Sequence, residues 1–199
     1  MDRGAAATAR LLARRLQATL HVAEVSRLVV DLNRSIGHPG IFSPYTRALT
    51  GGEKGRILEA WYHPYRDRVM ASIERGIARG RRVFHLSSHS FTPVLRGRVR
   101  RTDVGLLYDP SRTPERALAG AWKREIALIA PRLVVRRNHP YRGIDDGFMI
   151  PLRRRFPEGA YVGIELEINQ KHYRSTDAAR RIRSIIVASL ETIRSRGFF

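Results

Sequence analysis

The sequence predicts an α/β fold, with one sheet covered by helices on both sides, and three observations carry that reading. Short apolar segments of strand length alternate along the chain with longer segments of helical periodicity. Two of the short segments, 83–89 and 161–168, alternate with period two. Finally, 199 residues with 43% hydrophobic content and no internal repeat or linker suit one domain, spanning 1–199, with a substantial core.

The first element is a helix over 2–20, with Leu11, Leu12, Leu16 and Leu20 at helical spacing and Arg10, Arg14 and Arg15 among its polar positions. Leu28, Val29 and Val30 then form a short apolar piece of strand character, which runs into the polar cluster Asp31, Asn33 and Arg34. Gly37-His38-Pro39-Gly40 and Ser43-Pro44 are turn signals. Thr50 and Glu53 have capping-box spacing, and the helix behind them carries Ile57, Trp61, Tyr65, Val69, Ile73 and Ile77 on one stripe, the pattern of a core face. Pro64 should kink this helix, because its ring clashes with the carbonyl four residues back, and Gly80 should cap its end.

Segment 83–89 reads as a strand with His85, Ser87 and His89 on one face and Phe84, Leu86 and Ser88 on the other. Pro93 lacks the N–H a ladder needs and ends the run. A basic loop (Arg96, Arg98, Arg100, Arg101) leads to a second strand over 104–108. Thr113-Pro114-Glu115 opens a helix whose inner face is Leu118, Trp122, Ile126 and Ile129, and Pro131 stops it. Residues 133–135 make a short strand into the loop of Asn138, Tyr141 and Arg142, and 145–156 a short helix. In 161–168, Val162, Ile164, Leu166 and Ile168 belong to the core, while Glu165 and Glu167 stand side by side on the other face. That face is a wet surface if the strand lies at an edge, and part of a site if it does not. Residues 175–196 close the fold as a helix with Ile182, Ile186, Leu190 and Ile193 turned inward.

Composition narrows the function. With no cysteine there is neither a disulfide nor a thiolate ligand or nucleophile. No apolar run approaches the roughly 18 residues of a membrane span, and no secretory h-region is present, so a cytoplasmic location is the simplest account. The formal charge of +19 raises the question of nucleic acid. Yet the arginines are spread along the chain rather than gathered with aromatics into a binding arm, which disfavours that partner and suits an anionic substrate equally well. Arg153-Arg154-Arg155 falls where a helix shows a solvated face. No H-E-x-x-H, G-x-S-x-G or Walker A loop occurs.

Several segments end in polar clusters: Asp31/Asn33/Arg34, His85/His89, Arg100/Asp103, Asn138/Tyr141/Arg142 and Glu165/Glu167. Ligands of open α/β sheets sit beyond the carboxyl ends of strands, where His89 and Glu167 fall. Imidazole and carboxylate suit zinc, a second carboxylate can act as general base, and arginine matches a substrate carboxylate. These are the parts of an amide hydrolase for an acidic substrate.

At these residues the sequence resembles the N-formylglutamate amidohydrolase family. The matching motifs are SRLVVDLNR over 26–34, HSFTP over 89–93, DVGLLY over 103–108, NHPYRG over 138–143 and GIELEINQ over 163–170. They occur in the family's order and cover about 10–172. The resemblance implies a three-layer sandwich on a mixed, mostly parallel sheet, phosphorylase/hydrolase-like and similar to zinc carboxypeptidases. It implies zinc-dependent hydrolysis of an N-acyl acidic amino acid such as N-formyl-L-glutamate. By the same likeness His89 is a zinc ligand, Glu167 the general base with Glu165 as the lesser candidate, and Arg100 the group that polarises the carbonyl. Asn138 and Arg142 hold the substrate carboxylate, and Tyr141, Arg34 and Asn33 are further substrate-binding residues. Family members usually carry a further Glu-His-Gly-Gly-Asn-like segment, a source of other metal ligands, and no Glu-His pair occurs in these 199 residues. The expectation is therefore weak zinc binding, slow or absent turnover by this polypeptide, and a sheet edge open to self-association. A non-catalytic binder of acidic metabolites is the second expectation.

Overall fold

The computed structural model describes residues 2–199. The chain opens with helix α1 (Ala5–Leu16), followed by a long coil to α2 (Gly51–Ile57). Thr50 and Glu53 close a full capping box at the start of α2. A π-helical turn (Leu58–Tyr62) joins α2 to α3 (His63–Ala78) and puts Pro64 in the first turn of α3. The wide turn accommodates the proline where a regular helix would meet a clash. It also rotates the predicted stripe: Val69 and Ile73 are buried, but Trp61 is 44% exposed.

The central sheet contains β1 (Val83–Phe91), β4 (Val104–Leu107), β5 (Val135–Arg137) and β6 (Tyr161–Asn169), in the order β1-β6-β4-β5. β1 runs parallel to β6 and β4 to β5, while β4 and β6 are antiparallel, so the sheet is mixed and mostly parallel. Between β1 and β4 a small hairpin, β2 (Val94–Leu95) with β3 (Arg98–Val99), occupies the predicted basic loop. Its turn places Arg96 and Gly97 at positive φ, the backbone that a two-residue hairpin turn requires. Helices α4 (Thr113–Ile129), α5 (Met149–Arg155) and α6 (Thr176–Ser195) complete the fold, with a 3₁₀ turn (Gln170–Tyr173) after β6.

Helices cover both faces. On one side α1, α4 and α6 pack on Val104, Leu106, Val162, Ile164, Leu166 and Ile168 around the fully buried Trp122. On the other, Val69 and Ile73 of α3 and Leu152 of α5 close over Tyr161. This second layer covers only the amino half of β6. Residues 28–30, expected as strand, form turns instead, and Val30 anchors a small core with Leu32, Ile41 and Tyr62. Three further expectations shift. The strand at 133–135 begins at Val135, the helix at 145–156 is confined to α5, and Ile129 is 44% exposed at the frayed end of α4.

Candidate active site

β6 lies inside the sheet, so both its faces are buried, and Glu165 and Glu167 are buried too. The parallel register pairs Ser87 with Glu165 and His89 with Glu167. In-register neighbours share a face, at strand spacings of about 4.8 Å. The next strands extend the row, since Glu167 pairs with Gly105 and Gly105 with Arg136. His89, Glu167, Gly105 and Arg136 thus cross the sheet in one line, on the face that α3 and α5 leave partly open.

His89 is tied at both ring nitrogens: Nδ1 lies 2.9 Å from Asp2 Oδ2 and Nε2 lies 2.8 Å from Ser87 Oγ. Arg27 approaches the same Asp2 oxygen at 3.2 Å and Asp31 at 3.7 Å, which links the N-terminal coil to the row. Burial alone would lower the His89 pKa. The hydrogen bond to Asp2 and the Glu167 and Glu165 carboxylates outweigh it and raise the pKa. Asp2 is lowered despite its burial, through the same hydrogen bond and the charges of His89 and Arg27. Glu167 moves the other way. It is 7% exposed, its Oε2 is buried without a hydrogen-bond partner, and burial pushes its pKa up to about 7, against the pull of His89. A carboxyl that titrates near neutrality and keeps a buried oxygen free of hydrogen bonds is suited to exchange a proton with a bound molecule.

The remaining predicted residues divide into two groups. Arg100 and Tyr141 come together: Arg100 NH1 donates to the Tyr141 hydroxyl at 3.0 Å, and its guanidinium stacks over the rings of Tyr141 and of Phe91, two residues beyond His89. Arg142 is exposed, and its backbone N–H donates to Asp145. Asn138, Asn33 and Arg34 contact the chain itself. Asn138, at φ 49°, accepts from the backbone N–H groups of Tyr108 and Gly143 and so shapes the loop that carries Tyr141 and Arg142. Asn33 accepts from the Phe148 N–H, and Arg34 donates to the Asp146 carbonyl. His85 is a satisfied interior histidine. It is bonded to the Tyr161 hydroxyl at 2.9 Å, and its pKa is pushed down to about 4 by burial and by Arg153.

Sequence reading overlooked Asp2, Glu115 and Arg153. Arg153 is not on a solvated face: it is 7% exposed and grips the fully buried Glu115 through Nε and NH2. β4 pairs with β6 only as far as Glu165, so the Gly163 N–H lacks a strand partner, and Glu115 Oε1 accepts from it at 3.1 Å. Arg153 also donates to the Gly143 carbonyl, which fastens the Asn138 loop to the sheet. Asp103 is likewise structural, bound to Lys171 at 2.6 Å and His172 at 2.7 Å, with its pKa held down to about 2 by these partners in spite of burial. A charged residue inside an arginine run gives no local sign that its side chain points inward.

No group of three His, Cys, Asp or Glu side chains among the described residues converges closely enough to hold a metal ion. His89 with Asp2 and Glu167 supplies donors of the right chemistry for zinc, but they do not by themselves make its usual three-ligand site.

The mixed sheet, with His89 and the buried Glu167 on one face, belongs to a hydrolase that acts on an amide bond. The profile of N-formylglutamate amidohydrolase matches residues 1–174, and the chain belongs to that family. Among solved structures, the gene product Atu2144 from Agrobacterium tumefaciens is similar at 32% identity and a TM-score of 0.79, over 97% of this chain and 79% of that one. The N-formylglutamate amidohydrolase from Ralstonia eutropha JMP134 has the same fold at 21% identity and a TM-score of 0.74, over 96% of this chain and 82% of its own. No curated protein matches the sequence. Among the described residues, no helix is long and apolar enough to cross a membrane.

Proposed function

We propose that this chain hydrolyses the amide bond of N-acyl acidic amino acids, with N-formyl-L-glutamate as the type substrate and formate and glutamate as products. The observation that carries the proposal is Glu167, whose unpartnered, buried Oε2 lies on one face with His89 and whose pKa stands near 7. In its ionised form Glu167 takes a proton from a water, whose oxygen attacks the acyl carbon. Arg100, held by Tyr141, stabilises the charge that develops on the acyl oxygen. The proton on Glu167 then passes to the leaving nitrogen as the C–N bond breaks. Glu165, next on the same face, supports the field that keeps Glu167 basic. Arg142 and Tyr141, on the loop that Asn138 braces, take the substrate carboxylate, and Asn33 and Arg34, bonded to Phe148 and Asp146, complete the substrate-binding set.

Zinc belongs to this proposal with His89 as one ligand; when bound it would polarise the acyl oxygen and lower the pKa of its water to about 7. No proton step above depends on it. The lack of a three-donor cluster among the described residues favours a second reading, in which the cleft binds acidic metabolites without turnover. The deciding experiment is formate release from N-formyl-L-glutamate with and without added zinc, alongside calorimetric binding of the same compound. Release that is abolished by Glu167→Gln supports hydrolysis. Binding without release in either condition overturns it in favour of the second reading.

A further inference from the structure

Strand β1 places Ser87 and His89 two residues apart on one face, and the start of the chain brings Asp2 against them. Ser87 Oγ lies 2.8 Å from His89 Nε2, and His89 Nδ1 lies 2.9 Å from Asp2 Oδ2. Arg27 pairs with the same Asp2 oxygen at 3.2 Å, which favours the ionised carboxylate. An ionised carboxylate only accepts, so the proton between it and the ring sits on Nδ1. That tautomer leaves a lone pair on Nε2, to which the Ser87 hydroxyl donates. A hydroxyl, an imidazole placed to receive its proton and a carboxylate that orients the imidazole are the parts of an activated serine nucleophile. Such a set is recognised by geometry and not by position in the sequence.

The surroundings suit that chemistry. β1 is an edge strand and Ser87 is only half-buried, so its hydroxyl is not sealed inside the sheet. His85, next on the same face, is taken up by the Tyr161 hydroxyl. Arg27, with a side chain 41% exposed, sets positive charge beside the three residues, where an acyl oxygen gains negative charge. Register places Glu165 opposite Ser87 and Glu167 opposite His89, and two acids on that flank disfavour an anionic acyl group. His89 serves one role at a time, because a metal ion at Nε2 would use the lone pair that receives the Ser87 proton.

We propose that Ser87, His89 and Asp2 form a second reactive centre, a serine nucleophile that hydrolyses small neutral acyl esters and needs neither zinc nor Glu167. Ser87 Oγ attacks the carbonyl carbon while its proton passes to His89 Nε2. The bond from that carbon to the leaving oxygen breaks, and this oxygen takes the proton from His89. A water then gives a proton to His89 Nε2 as its oxygen attacks the acyl carbon. Ser87 Oγ departs and regains that proton. Ester and water are consumed, and acid and alcohol are formed.

The test uses the intact chain in a chelator, with p-nitrophenyl acetate as substrate and a fluorophosphonate ester as an irreversible probe. The wild type should release nitrophenol and take up a single phosphonyl group, located on Ser87 by peptide mass mapping. Ser87→Ala should take up none. Asp2→Asn keeps the shape but not the charge that orients the ring, and should slow both reactions about 10³-fold while unfolding at the wild-type temperature. Ser87→Cys keeps a nucleophile in place and should be acetylated there, which preserves the test if Ser87→Ala is unstable.

Labelling confined to other residues, or nitrophenol release at an equal rate in Ser87→Ala, overturns the nucleophile. An equal rate in Asp2→Asn overturns the three-residue assignment. Phosphonylation of Ser87 with no formate released from N-formyl-L-glutamate upholds this centre and refutes the hydrolysis through Glu167. Formate release by a chain whose Ser87 resists both probes does the reverse.

Discussion

The two halves of β6 carry the same type of group to opposite ends. At its amino half, Glu115 reaches the Gly163 N–H and is matched on every side, by Arg153, by Arg112 and by the Asp109 N–H. At its carboxyl half, Glu167 is almost as deeply buried yet keeps one oxygen without a partner. Burial is common to both, so burial does not make a carboxylate reactive. What differs is the company. The first is held by two guanidinium groups and two backbone N–H donors and acts as a joint. The second keeps an oxygen without a partner, so burial raises its proton affinity into the working range, with Asp2 and Glu165 adding to the rise and His89 opposing it.

The largest expected effect lies at the joint. Glu115→Ala leaves Arg153 as an uncompensated buried charge and the Gly163 N–H unmade, so urea unfolding should show a loss of about 3–5 kcal/mol. A loss below about 1 kcal/mol would erase the distinction drawn here.

Glu167→Gln should do the converse, lowering kcat/KM by about 10²- to 10⁴-fold while the fold stays intact. Its effect on stability has a definite sign. A carboxyl raised from 4.5 to about 7 stabilises the folded state fully below pH 4.5, and that contribution is lost as pH rises through about 7. The variant should therefore unfold at higher urea than the wild type at pH 8, by up to about 3 kcal/mol, and the gap should close towards pH 4.5. A variant less stable at pH 8 would place Glu167 with the structural carboxylates.

A smaller effect sharpens the reading of the cleft. Arg142→Lys should lower kcat/KM for N-formylglutamate about tenfold, because an ammonium cannot reproduce the bidentate fork, and should spare a neutral N-formyl amino acid. Equal losses on both substrates would make Arg142 a loop residue only. The smallest effect concerns zinc. Because no three donors converge among the described residues, the dialysed chain should hold well under one zinc per molecule, and His89→Asn should remove what remains. Stoichiometric zinc in the His89→Asn variant would contradict His89 as a ligand.

Most of the fold was legible because it rests on periodicity. The alternation in 161–168 and the stripes of the α4 and α6 segments describe what those residues bury. The pairing of His89 with Glu167 was also foreseeable, as each ends a strand on its polar face. Misreadings arose where tertiary contacts decide. Val30 has strand character but is buried by a turn packed on Ile41 and Tyr62, and Trp61 lost its place on the stripe to a π-turn made for Pro64. Arg153 and Glu115, 38 residues apart, carry no signal in either neighbourhood. Nor does Asp2, whose role exists only because the start of the chain reaches β1.

The most direct test of the account is the pH dependence of kcat/KM for formate release, measured on the wild type and on Glu167→Gln. The wild type should rise through one ionisation near pH 7 and then level, and the variant should lose that limb along with most of its activity. An acid limb near pH 4.5, or one near pH 7 that survives the substitution, would show that the base is another group.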